Sequence, residues 1–261
     1  MRYETINTQE VVKLFHQLMK PDSPSRILRL KGESKTGKSH LLTKVFPAIV
    51  QKEFQARHAI LDLRYSMLTV PDILHAAYGQ LDATGSSEYL TAYQKWTTRP
   101  RVSIERVLSI FSFFRISVKD SLDEIRQRDL DLTTQFVRDL ATLSDKLLLL
   151  FFDTVDYADK SIQIWLVHTL LVQLSSLAHV RVVMAGTSLP DIDGSYRVLC
   201  ENRELQPVRD IQEYIIYCRS LDMPLLAEQS IKDFASVFDY KPGLFVDYVL
   251  PKCEQWRVPN G

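Results

Sequence analysis

The chain has 261 residues, 46% of them hydrophobic, enough to bury the core of one large domain or two small ones. Its 32 basic and 32 acidic residues cancel, which excludes a general electrostatic pull toward nucleic acid or anionic membrane and leaves only local patches. Cys200, Cys218 and Cys253 form no Cys-x-x-Cys pair and the six histidines show no ligand spacing against them, so the composition speaks against a zinc site or a disulfide framework and for a reducing cytoplasm.

Residues 1–10 are polar and do not read as a secretory signal, and the apolar runs at 147–152 and 165–174 are too short, or too interrupted by His168 and Gln173, to span a bilayer. Val11, Val12, Leu14, Phe15 and Leu18 then recur at helical spacing, with Asn7 or Thr8 as cap and Pro21 as stop. Arg26-Ile27-Leu28-Arg29-Leu30-Lys31 reads as the first strand. It runs directly into Gly32-Glu33-Ser34-Lys35-Thr36-Gly37-Lys38-Ser39, which fits G-x-x-x-x-G-K-[ST] at every fixed position.

Strand, motif and a following helical pattern (Leu41, Leu42, Val45) together identify a phosphate-binding loop. Two glycines let the backbone curl so that its N–H groups face inward, and the next helix points its N-terminus at a phosphate. Lys38 would neutralise the terminal phosphates and the Ser39 hydroxyl would hold Mg²⁺; His40 completes the candidate binding stretch. The helix is expected over 38–55, with Pro47 either kinking it or opening a second segment. Residues 58–63 alternate into a second strand.

From 64 to 144 the pattern is mostly helical. Ile73, Leu74, Ala77 and Leu81 share a face after Pro71, the chain pauses at 84–87, and Val107, Ile110, Phe111 and Phe114 favour helix over strand. A clearer amphipathic helix covers 132–143, with Phe136, Val137, Leu140 and Leu143 inward. Lys95-Trp96-Thr97-Thr98-Arg99-Pro100-Arg101 mixes aromatic and basic residues, and reads as a solvated loop before it reads as a nucleic-acid patch. The apolar run at 146–153 ends in an acid, the mark of a central strand buried on both faces. A helix over 165–177 and a buried strand over 180–185 follow, the latter opening into Gly186-Thr187-Ser188. Strand and helix alternate, which predicts a three-layer α/β fold with a parallel sheet. After residue 207 only helices are read, at 210–219, 227–238 and 244–250. The expected organisation is a nucleotide-binding core over 1–206, with a helical insertion at about 65–144, and a small all-helical lid over 207–261.

Asp153, at the end of a buried strand, is the natural carboxylate for Mg²⁺. Hydrolysis also needs a group that orients water, and the residue after Asp153 is Thr154 rather than Glu. Asp156 is the best substitute and Asp159 a weaker one. Thr187, with Ser188, stands where a γ-phosphate would be sensed.

The stretch Thr134-Gln-Phe-Val-Arg-Asp-Leu140 leading to Leu150-Phe-Phe-Asp-Thr-Val-Asp156 resembles the approach to the acidic strand in bacterial STAND ATPases, the signal-transduction relatives of AAA+ proteins. Trp165-Leu-Val-His-Thr-Leu-Leu171, Val182-Val-Met-Ala-Gly186, Leu205-Gln-Pro-Val208, Glu213-Tyr214 and Tyr240-Lys-Pro-Gly-Leu-Phe245 are similar to that family's later strands and lid. The resemblance implies a switch in which ADP holds a closed form and ATP favours an open, self-associating one that activates an effector, with Pro242 near the adenine in the closed form. Many relatives carry Glu where this chain has Asp156 and Arg where it has Thr187, departures that point to slow hydrolysis or to binding alone. Sensor and effector modules would lie elsewhere in a longer chain or on partner proteins. Two other readings stay open: an AAA+ ATPase that loads onto DNA, which the neutral charge disfavours, and a scaffold that holds nucleotide without hydrolysing it.

Overall fold

In a computed structural model, residue 6 and residues 9–64, 68–83, 88–97, 114–221 and 226–256 are described. Five strands, β1 (Ile27–Gly32), β2 (Arg57–Asp62), β3 (Leu148–Asp153), β4 (Val180–Gly186) and β5 (Cys200–Leu205), pair in the order β2-β3-β4-β1-β5. Every pairing is parallel, so each strand returns through a crossover and all five end on one edge. β3 and β4 are buried along their whole length, which is why they read as unbroken apolar runs.

Side-chain alternation along these strands feeds two separate cores. Leu148, Leu150 and Phe152 face one of them and Leu149 and Phe151 the other. The second core is covered by α1 (Gln9–Leu18) and by α2, a continuous helical run through Lys38–His40, Leu41–Val45, Phe46–Ile49 and Val50–Phe54. Phe15 stacks on Phe46 there with ring centroids 4.0 Å apart. Pro47 does not break α2. The turn before it, Leu41–Val45, is π-helical, and Pro47 sits at the start of the next stretch, so the widened turn absorbs its missing N–H.

On the opposite face lie α3 (Val70–Gln80), α4 (Glu88–Thr97), α5 (Phe114–Thr142) and α6, which runs through Lys160–Trp165, Leu166–Leu170 and Leu171–Leu174. The result is a three-layer α/β fold with a fully parallel sheet between two helical layers. α5 begins well before residue 132; its residues 122–127 are all exposed, which leaves no apolar stripe to read there. Val107, Ile110 and Phe111 lie outside the described residues.

β5 escapes sequence reading for a related reason. It is an edge strand of composition Cys-Glu-Asn-Arg-Glu-Leu, exposed at Asn202, Arg203 and Glu204, and among the described residues it pairs with β1 alone. Beyond it, α7 (Ile211–Ser220), α8 (Glu228–Val237) and α9 (Pro242–Trp256) share a third core built on Tyr214, Ile215, Cys218, Ile231, Ala235 and Phe245. α9 is longer than the predicted 244–250: Pro242 fits its first turn, and the helix continues through Pro251. Among the described residues no helix is long and apolar enough to cross a membrane.

Candidate functional site

Because the strands are parallel, the loops after β1, β2, β3 and β4 crowd one edge of the sheet. They enclose a cavity of about 310 Å³ together with the start of α9. Ser34 through His40 line it, as do Arg64, Asp153, Thr154, Asp156, Thr187 and Pro242.

The loop after β1 is shaped as its sequence requires. Gly37 takes φ 98°, the left-handed region that suits glycine, immediately before α2 begins. Gly32 serves through size: a Cβ there would lie 2.5 Å from the carbonyl oxygen of Leu205 on the neighbouring β5. Lys38 is 8% exposed, and its Nζ donates to the carbonyls of Gly32 and Glu33 at 2.6 Å each. Burial pushes its pKa down, partly offset by the charges of Asp156, Asp153 and Glu33. The ammonium therefore sits inside the loop, in the field of the site's carboxylates.

Asp153 is 2% exposed at the end of β3. Its Oδ1 accepts the Thr154 N–H at 2.9 Å, and it lines the same cavity as Ser39. Burial raises its pKa above the ordinary carboxylate value, against the opposing influence of Ser39 and the Thr154 N–H. Ser39 on the loop and the buried carboxylate of Asp153 on β3 offer two hard oxygen donors to one cavity, a set suited to Mg²⁺, which keeps several waters and takes few protein ligands.

β4 lies between β1 and β3, so Thr187 at its end is placed between the loop and Asp153. The Thr187 hydroxyl donates to Asp156 Oδ2. Asp156 itself is carried by a short helical turn, Val155–Tyr157. Asp159 is exposed ahead of α6 and, with Ser188, does not line the cavity. Gly32 and Glu33 also stay out of the lining, Gly32 against β5 and Glu33 paired at 2.8 Å with Lys241.

The C-terminal helices reach the loop directly through residues 241–247. Lys241 holds Glu33, Asp247 accepts from Lys35 Nζ at 2.6 Å, and the Gly243 N–H donates to the Lys35 carbonyl at 2.8 Å. Ile6, Tyr217 and Val246 supply an apolar wall beside Pro242.

Sequence reasoning missed Asp62 and Arg64. β2 pairs with β3 so that Asp62 stands in register with Asp153, and Asp62 Oδ1 accepts the Thr154 hydroxyl at 2.6 Å. A strand closing on Leu-Asp, as β3 closes on Phe-Asp, was the available signal. The mixed basic and aromatic stretch at 95–101 proves helical where described: Trp96 packs on the core and its Nε1 donates to Asp131 at 2.8 Å. Arg99, Pro100 and Arg101 lie outside the described residues.

No protein-family profile matches the sequence, and no curated protein matches it. Among solved structures, Cdc6p from Pyrobaculum aerophilum aligns with a TM-score of 0.61 at 14% identity over 98% of this chain. A Walker-type ATPase of Pyrococcus abyssi aligns at 0.47 and 14% identity, covering 96% of this chain and 70% of its own. The replication initiator DnaA bound to AMPPCP and single-stranded DNA aligns at 0.47 and 12% identity over 97% of this chain and 62% of its own. The chain spans 63% of the Cdc6p structure's length. At 14% identity the likeness to Cdc6p shows a shared three-layer α/β P-loop NTPase fold.

Proposed function

We propose that this chain is an ATP-binding, Mg²⁺-dependent nucleotide switch with slow hydrolysis, of the kind found in STAND-type signalling or defence proteins. The observation that carries the reading is the single cavity in which Ser39 and Lys38 of the loop face Asp153 and Asp156, with Pro242 and Gly243 of α9 closing it. Loop amides, Lys38 and the start of α2 would hold the phosphates. Ser39 and Asp153 would hold Mg²⁺, which when bound offsets charge on the terminal phosphates. Asp156, oriented by Thr187, is assigned to positioning water. The apolar wall of Ile6, Tyr217 and Val246 would take the adenine, beside Pro242.

The three lid contacts favour a switch over simple turnover. Lys35 is bonded to the lid through both its backbone and its side chain, so a phosphate that shifts the loop shifts α9 with it. ADP would stabilise the docked lid and ATP a released form that self-associates or engages an effector. Measuring molecular mass in solution with Mg²⁺ and either ADP or a slowly hydrolysed ATP analogue tests this. The expected result is a small species with ADP, a larger one with the analogue, and neither response in Lys38→Ala. Identical mass with both nucleotides despite tight binding would overturn the switch, and a mass change that requires DNA would favour a DNA-loading ATPase.

A further inference from the structure

We propose that Arg64 is the residue that distinguishes a nucleoside triphosphate from a diphosphate in this cavity, contacting the terminal phosphate from within the same chain, and that Asp62 and Thr154 position it. The proposal rests on the nucleotide-site reading above. Arg64 lines the cavity at the end marked by Asp153 and Thr154, where the terminal phosphate and its metal would lie. Its guanidinium is forked onto Asp62: Nε donates to Oδ1 at 3.1 Å and Oδ2 at 3.0 Å, and Nη2 to Oδ2 at 2.7 Å. The Arg64 backbone N–H closes the turn onto Oδ1 at 3.1 Å.

Asp62 is in turn fixed from β3. Thr154 adopts φ 55°, rare for a β-branched residue, and this conformation aims its hydroxyl at Asp62 while its N–H serves Asp153. One residue thus ties the Mg²⁺ carboxylate and the arginine anchor into a single unit. Burial raises the Asp62 pKa, but the hydrogen bonds from Arg64 and Thr154 outweigh it and hold the carboxyl below its ordinary value, so the anchor stays charged.

The other cations of the cavity are engaged differently. Lys38 is enclosed by loop carbonyls and Lys35 is tied to the lid. Arg64 is 59% exposed on its side chain and lines the cavity, so a phosphate can approach the guanidinium, already steadied by Asp62, without a buried cation having to be desolvated first. A planar donor fork matches phosphate oxygens better than an ammonium does.

The test is calorimetric titration of the full chain, in Mg²⁺, with ADP and with the β,γ-imido analogue of ATP. Arg64→Ala should weaken the analogue by about tenfold or more while ADP stays within about twofold. Arg64→Lys should fall between, and Asp62→Asn should weaken the analogue selectively. Equal losses for both nucleotides, or no loss for either, would overturn the assignment. Arg64→Lys keeps the charge at an exposed position and serves as the readout if the alanine variant does not fold. A wild type that binds neither nucleotide sinks the nucleotide-site reading as well. One that binds both in a Lys38-dependent way, with Arg64→Ala unchanged, sinks only the role of Arg64.

Discussion

The backbone N–H of Gly243, at the start of α9, donates to the carbonyl of Lys35 at 2.8 Å, joining the lid to the phosphate loop through main chain alone. A Cβ at Gly243 would lie 2.8 Å from that carbonyl oxygen and 3.1 Å from the Lys35 Cα. Gly243→Ala should therefore push α9 off the loop, lowering stability by about 1–3 kcal/mol and speeding loss of ADP. Chemical denaturation and nucleotide release kinetics check the two effects.

Lys35 and Asp247 form an exposed pair, each about half accessible, and such pairs contribute little to stability. Asp247→Asn should leave the melting temperature nearly unchanged yet accelerate nucleotide exchange, because it loosens the lid only where it meets the loop. A stopped-flow chase with a fluorescent nucleotide separates this from a global loss of stability.

Asp156→Asn should lower the ATP turnover number by about a hundredfold or more with little change in affinity, since the residue is assigned to water and not to phosphate. Thr187→Val, which removes the hydroxyl that orients Asp156, should lower it less. Steady-state phosphate release at saturating ATP reports both.

Asp153 gives the pH dependence its sign. Its folded pKa lies above the ordinary 3.8 because burial disfavours the charge, so the folded state binds the proton more tightly than the unfolded chain. Without metal, this residue's contribution should fall as pH rises from about 3.8 through the raised pKa, and then level off. Asp153→Asn should remove that fall, raising stability at neutral pH while abolishing Mg²⁺-dependent turnover. Denaturation midpoints across pH, with and without Mg²⁺, measure it.

Asp139 carries a structural prediction. It is 1% exposed, and its Oδ2 accepts the Tyr89 N–H at 3.1 Å and the Tyr78 hydroxyl at 3.3 Å. It thus serves the first turn of α4 from the distant helix α5. Asp139→Ala should cost about 1–3 kcal/mol by leaving a buried N–H without its acceptor, measurable by urea denaturation.

Legibility followed burial and chemistry. β3 and β4 announced themselves because a strand covered on both faces must be apolar throughout, and the phosphate loop did so because its geometry admits few residue types. β5 and residues 122–127 of α5 were hidden because exposed stretches carry no hydrophobic period. The fully buried Arg181 shows the same limit from inside: its guanidinium donates to the carbonyls of Leu18, Lys20, Ala178 and Val180, joining α1 to β4. A basic residue in an apolar strand gives no hint of such partners. Arg64 reaches the cavity, held by Asp62, because β2 pairs in register with β3, a fact of topology and not of local sequence.

The most direct test of the nucleotide switch is to denature the freshly purified protein and identify what it releases by chromatography, with Lys38→Ala beside it. The account predicts near-stoichiometric ADP from the wild type and none from the variant. A wild type that releases no nucleotide and binds added ATP only weakly, independent of Lys38, would contradict it.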